Sequence, residues 1–289
     1  MTEEKTNQQI KLKDGRMLGY AEYGSSAGKP VFYFHGHPGT RLDWPLFDEN
    51  DAGTDMNARI ISIDRPGTGL SSFKTDREIL DWPDDVIELA EMLQLDRFAV
   101  LGLSGGGPYA AACAFKIPKR LNATAIVCGM GPSEAPGAKE GASWIYAGKT
   151  PEERKQMLTG MAYLLRENPD ELVSQMKEAP FPEPDKVLMD RPGFQRMLID
   201  LAFVEALRPG IEGVDHEAAL YARPWMFRLQ DISTEVHLWH GEMDINVLVS
   251  VGRYVADAIP NCRAKFLPSE AHFSIAHNHI REILNILVS

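Results

Sequence analysis

A chain of 289 residues holds either two ordinary domains or one large α/β domain with an insertion, and is too long for a peptide or disulfide scaffold. With 44% apolar and 25% charged residues it can bury a large core, which excludes disorder as its overall state. Its 30 basic residues against 41 acidic ones leave a net charge of −11, the wrong sign for covering phosphate backbones.

From residue 10 onward, short β-rich runs alternate with helical patterns, as in a sheet assembled through helical crossovers. Residues 10–24 read as a hairpin about the Asp14-Gly15 turn. The core strands are 31–34 (VFYF), 59–63 (RIISI), 98–103 (FAVLGL), 123–127 and 236–239. They are short, continuous and rich in β-branched or aromatic residues, as strands buried on both faces should be. Helical patterns over 82–95, 108–115, 250–259 and 279–287 fill the gaps and favour parallel neighbours.

The rhythm breaks between Pro132 and Trp225, where seven prolines fall within 132–184 and the strand signal vanishes. Segments 152–166 and 194–207 carry apolar residues at helical spacing, among them Phe194, Met197, Leu198 and Leu201, so 132–225 reads as a helical cap. It divides a core made of 10–131 and 226–289. Six of the 12 methionines (Met157, Met161, Met176, Met189, Met197, Met226) lie in or at the edge of it. A Met-rich cap suits an adaptable apolar pocket, although each Met could equally pack the cap's own helices.

The sequence Gly102-Leu103-Ser104-Gly105-Gly106 follows one strand directly and precedes a helix. Glycines two residues to either side let the serine occupy a sharp turn with close backbone approach, and the helix N-terminus favours developing negative charge. A serine hydroxyl is a weak nucleophile, so this reading needs a base and a group to orient it. The strand at 236–239 runs into His240-Gly241-Glu242-Met243-Asp244. Residues 265–267 lead into Pro268-Ser269-Glu270-Ala271-His272, read as lying just before the last helix. The order Ser104, Asp244, His272 is one of the known triad orders.

With HGHPG at 35–39, DRPGTGLS at 64–71, GLSGGG at 102–107 and HGEMD at 240–244 followed by His272, the chain resembles the α/β-hydrolase fold over nearly its whole length. The resemblance implies a mostly parallel central sheet flanked by helices, with the helical cap inserted after the sixth strand. It implies Ser104 as nucleophile, His272 as general base and Asp244 as the group holding the imidazole. The backbone N–H groups of His37 and Gly105 would form the oxyanion hole. The expected activity is a carboxylesterase-like serine hydrolase acting on a small, largely apolar ester or related acyl compound, with no cofactor and no metal.

Other readings stay open. The HGHPG loop is similar to the HGGPG of prolyl aminopeptidases, whose cap carboxylates bind the substrate's amino group; Glu152, Glu153, Glu167, Asp170 and Glu171 are candidates, though they read first as a solvated face. Haloalkane dehalogenases and epoxide hydrolases resemble the chain but carry an aspartate where Ser104 stands. Cofactor-free haloperoxidase or dioxygenase chemistry, and a non-catalytic ligand-binding role, are further alternatives. His277 and His279 rival His272 but read as solvated surface histidines, and Glu242 and Glu270 rival Asp244 but read as exposed loop charges. Asp64 and Arg65 read as braces for a turn close to the site.

Cys113, Cys128 and Cys262 are odd in number and widely spaced, so they read as reduced, mostly buried thiols. A polar N-terminus and the lack of any run of about 18 apolar residues predict no secretory signal and no membrane span. The expected location is the cytoplasm and the expected partner a small-molecule substrate, with neither nucleic acid nor membrane; oligomeric state is left open.

Overall fold

The computed structural model describes residues 3–48, 51–142 and 149–289. Among the described residues, eight strands form one sheet: β1 (Gln8–Lys11), β2 (Met17–Gly24), β3 (Lys29–Phe34), β4 (Ala58–Ile63), β5 (Phe98–Leu103), β6 (Leu121–Val127), β7 (Val236–Gly241) and β8 (Cys262–Leu267). Their spatial order is β1-β2-β4-β3-β5-β6-β7-β8. The β1–β2 hairpin pairs antiparallel within itself and with β4, and every other pairing is parallel.

Alternation along the strands sends side chains to two cores. Phe32, Phe34, Ile61, Ile63, Phe98 and Val100 face one side. There they meet helices α1 (Trp82–Met92), α2 (Gly107–Lys116) and α3 (Val249–Ala258). Val31, Tyr33, Ile60, Ala99, Leu101 and Leu103 face the other, against α4 (His272–Leu287). A sheet covered on both faces explains why these strands are apolar without interruption.

The helix α4 starts at His272, seven residues before the expected start at 279. Between β6 and β7 the described chain is helical: α5 (Pro151–Glu167), α6 (Pro169–Glu178), α7 (Glu183–Met189), α8 (Phe194–Leu198), which runs on as a wider π-turn through Ile199–Val204, and α9 (Glu212–Tyr221). Periodicity pointed to two of these and missed the others. The part of the expected insertion at 143–148 lies outside the described residues. No described helix is long and apolar enough to cross a membrane.

Register places the site. Phe34 at the end of β3 lies beside Ile63 of β4 and Gly102 of β5. The loops that begin at His35, Asp64 and Ser104 therefore leave the sheet together. The chain runs from β3 to β4 on one side and then to β5 on the other, so these loops open at the point where strand order reverses, the usual place for a ligand in an open α/β sheet.

Candidate active site

Ser104 sits at φ +51°, a left-handed conformation that costs a non-glycine residue energy and clusters at functional sites. Its neighbours leave room for no side chain. A Cβ on Gly102 would lie 2.3 Å from the Gly106 carbonyl oxygen, and one on Gly106 would lie 2.0 Å from that of Phe34. Both glycines of the motif are therefore required sterically, because the turn presses α2 against β5 and β3.

Ser104 and His272 line one small cavity of about 80 Å³, together with His37, Asp43 and apolar side chains from both the core and the insertion. The His272 Nδ1 atom is 2.8 Å from Asp244 Oδ2. The other Asp244 oxygen accepts from the backbone N–H of Asn246 at 2.8 Å and of Val247 at 2.9 Å, which locks the carboxylate within its own turn. Burial of His272 disfavours its charged form, but the charge and hydrogen bond of Asp244, together with the charge of Asp185, outweigh it, and the imidazole is raised above its ordinary value.

The expected oxyanion donors are neighbours. A Cβ on Gly105 would come within 3.2 Å of the His37 backbone nitrogen. The loop carrying that nitrogen is held by Arg65, which donates to the carbonyls of His35 at 2.6 Å and Gly36 at 2.7 Å. Burial drives the His37 imidazole down to about 4, against the pull of the Glu217 charge, so the side chain is neutral near pH 7. Asp64 is fully buried and accepts from the backbone N–H of Arg41 at 2.7 Å and of Leu70 at 2.8 Å. Asp64 and Arg65 are braces, as the sequence suggests.

Several groups escaped the sequence reading. Glu217 on α9 is buried between two cations, with Arg65 Nε at 2.6 Å and Arg77 Nη2 also bound. One turn on, the Tyr221 hydroxyl lies 2.7 Å from Glu217 and 2.9 Å from the Gly105 carbonyl. Asp185 on α7 accepts from three backbone N–H groups at the start of α4. Asp43 lines the cavity, and burial pushes its carboxyl up to about 8. A Glu and a Tyr four residues apart on a helix were the one available hint, and that helix was not recognised.

Other expectations need correction. None of the six methionines lines the cavity; the insertion contributes Leu198, Ala202 and Phe203 instead. Met157 and Met161 pack in a small cluster within the insertion, Met176, Met189 and Met197 pack on the main core, and Met226 is exposed. Glu270 is buried rather than exposed, accepting from Asn278 at 3.1 Å, whereas Glu242 pairs with Arg253 at the surface. His277 and His279 are half-buried rather than fully solvated: His277 lies 2.9 Å from Arg191 and His279 lies 3.3 Å from Glu270. Glu152, Glu153, Glu167, Asp170 and Glu171 are exposed, in agreement with their first reading as a solvated face, and none lines the cavity.

The possible metal ligands Cys128, Asp244 and His272 bring donor atoms within 4.8 Å of one another. Burial pushes the Cys128 thiol well above its ordinary value, and it donates to the His272 carbonyl. A protonated thiol beside an imidazole already bonded to a carboxylate is a poor ligand set.

Residues 31–279 match the alpha/beta hydrolase family. The chain belongs to this family. Among solved structures, this α/β-hydrolase is similar to a hydrolase from Pseudomonas aeruginosa PA01, at 22% identity and TM-score 0.72, with 98% of each chain covered. It is also similar to a thermophilic esterase from Thermogutta terrifontis, at 23% identity and TM-score 0.70, with 98% of this chain and 99% of the other covered. Among curated proteins it resembles a putative 2-succinyl-6-hydroxy-2,4-cyclohexadiene-1-carboxylate synthase from Bacillus subtilis (strain 168), 28% identical over 137 residues, 45% of each chain. The α/β-hydrolase spans less than half the length of the curated relatives it matches.

Proposed function

We propose that this chain is a serine hydrolase that cleaves a small, largely apolar ester or related acyl compound through an acyl-Ser104 intermediate. The observation that carries the reading is the 2.8 Å contact between His272 and Asp244, with His272 facing the same cavity as a serine in a left-handed turn. Asp244 fixes the tautomer in which Nδ1 bears hydrogen, leaving Nε2 free to accept a proton.

In this mechanism the Ser104 oxygen attacks the acyl carbon as His272 Nε2 takes its proton. The backbone N–H groups of His37 and Gly105 hold the resulting oxyanion, each such donor contributing roughly 3–4 kcal/mol. The imidazolium then gives its proton to the departing alcohol. Water, deprotonated by the same imidazole, attacks the acyl carbon; the bond to the Ser104 oxygen breaks, the imidazolium returns its proton to that oxygen, and the acid product leaves.

The cavity favours a short, uncharged acyl group. Its walls are mostly apolar, Asp43 is protonated below about pH 8 and His37 is neutral. An aminopeptidase would need a carboxylate at the cavity for the substrate's ammonium. The insertion's exposed acids lie off the cavity, and Glu217 is already matched to two guanidiniums.

A fluorophosphonate followed by peptide mapping tests the assignment. Labelling confined to Ser104 and abolished in Ser104→Ala is expected, with p-nitrophenyl acetate or butyrate turned over faster than proline β-naphthylamide. Stoichiometric labelling that persists in Ser104→Ala would overturn the nucleophile, and the reverse substrate preference would overturn the ester reading.

A further inference from the structure

The last helix begins with the candidate base, and its own sequence supplies no oxygen at the position that normally caps a helix. Residue 271 is alanine, whose side chain cannot accept the orphan N–H groups of a first turn. Those donors are satisfied by a residue 87 positions earlier in the chain. Asp185 Oδ2 accepts from the His272 N–H at 3.1 Å, while Oδ1 accepts from Phe273 at 2.9 Å and Ser274 at 2.8 Å. The Ser274 hydroxyl reaches back to the Ala271 N–H at 2.8 Å.

We infer that Asp185 is a positioning residue for His272: the insertion supplies a buried carboxylate that caps α4, fixing the backbone from which the imidazole reaches the cavity. This rests on the reading of His272 as general base.

Two further observations support the role. Asp185 is fully buried, and burial leaves its carboxyl somewhat above the ordinary value although backbone donors at the helix N-terminus and the His272 charge pull it down; where ionised, its charge acts with little solvent screening. The same stretch of the insertion sends Phe181 edge-on to Phe273, with ring centroids 6.5 Å apart, so the segment carrying Asp185 meets the first turn of α4 through an aromatic contact as well as through the cap.

His272 thus lies between two carboxylates with different tasks. Asp244 takes the Nδ1 hydrogen and sets the tautomer; Asp185 takes the backbone hydrogen and sets where the ring begins. Their charges both favour the imidazolium. The other titratable groups near the pair are the neutral Cys128 thiol, His240, whose imidazole burial holds below its ordinary value, Glu270, whose charge acts on Cys128, and His37 and Asp43 on the cavity wall. None of them contacts the N–H groups that Asp185 accepts from.

The test compares the full-length chain with Asp185→Asn and Asp185→Ala. The His272 imidazole is titrated by NMR, which needs no turnover, and kcat/KM for p-nitrophenyl acetate is measured against pH. Asn keeps the shape and one acceptor oxygen for the Phe273 and Ser274 N–H groups while losing the charge and the acceptor for the His272 N–H, so the His272 midpoint should fall by roughly half a unit or more with the fold intact. Ala removes the cap and should lower kcat by about 10- to 100-fold, as expected when a reacting group is displaced, at temperatures where circular dichroism shows the folded helix.

A His272 midpoint and kcat unchanged in both variants would overturn the inference. So would a loss of activity that tracks the unfolded fraction alone, with the midpoint unmoved in Asp185→Asn. Should His272→Gln retain full activity, the general-base reading fails instead, and the NMR midpoint still reports whether Asp185 acts on the imidazole.

Discussion

The hydroxyl of Tyr221, on the last helix of the insertion, donates to the carbonyl oxygen of Gly105 at 2.9 Å. Gly105 follows the candidate nucleophile directly, so the insertion grips the turn whose N–H group is assigned to the oxyanion. The hydroxyl has one proton for two acceptors, this carbonyl and Glu217 Oε1 at 2.7 Å, and removing it takes that donor from the buried carbonyl. Tyr221→Phe should lower kcat for p-nitrophenyl acetate by about 10-fold, with KM within a factor of about 2, the pattern of a contact that matters mainly in the transition state. A change confined to KM would assign Tyr221 to substrate binding.

Activity and stability should respond to His272 in opposite senses. Only the neutral imidazole can accept the Ser104 proton, and its folded value is raised, so kcat/KM should climb through one ionisation above the ordinary imidazole value of about 6.5. The stabilisation from the imidazolium is fully present below that unfolded value and is lost as pH rises through the folded one. His272→Gln should therefore remove the kinetic limb and flatten the dependence of stability on pH across the same window. A profile flat from pH 5 to 9 in the unaltered enzyme would remove His272 from the chemistry.

Asp43 makes a prediction about stability alone. Burial raises its carboxyl to about 8, so the folded chain retains a proton that the unfolded chain releases near 4. Stability from this group is complete below that lower value and disappears as pH rises through about 8. Asn keeps an acceptor for the Thr40 N–H and cannot ionise. The Tm of Asp43→Asn relative to the unaltered chain should rise between pH 6 and pH 9; a constant difference would show that Asp43 is already ionised in the folded state.

Glu217→Gln should be among the most damaging conservative changes in the chain. It leaves the guanidiniums of Arg65 and Arg77, both nearly inaccessible, without their shared anion, and breaking a buried pair from one side costs about 3–5 kcal/mol. Urea unfolding should show a loss of that order with an unchanged m-value. A loss under about 1 kcal/mol would mean that water enters the cluster.

The sheet was legible because strands such as FAVLGL are buried on both faces, a condition written into consecutive residues. The motif loops were legible because each follows its strand within a few positions. Asp185 and Glu217 were not, since each resembles an ordinary helix charge until the fold brings up partners 87 and 152 residues away. The early start of α4 was missed for the same reason: its cap comes from Asp185, and the local Ala271 gives no signal. Methionine content failed as a guide to the pocket because it reports that a side chain packs and not against what.

Those distant carboxylates bear on how such a chain can diverge. Asp185 meets the start of α4, Glu205 meets Arg41 at 2.6 Å, and Glu217 meets Arg65 and Arg77. Recombination that traded this insertion for a shorter or foreign one would strand two deeply buried arginines, Arg65 and Arg77, and leave Arg41 with Asp64 alone, unless the replacement brought acids to the same points. The insertion is thus a poor unit of exchange, and new specificities are reached more readily by substituting side chains such as Leu198 or Phe203 within it than by replacing it.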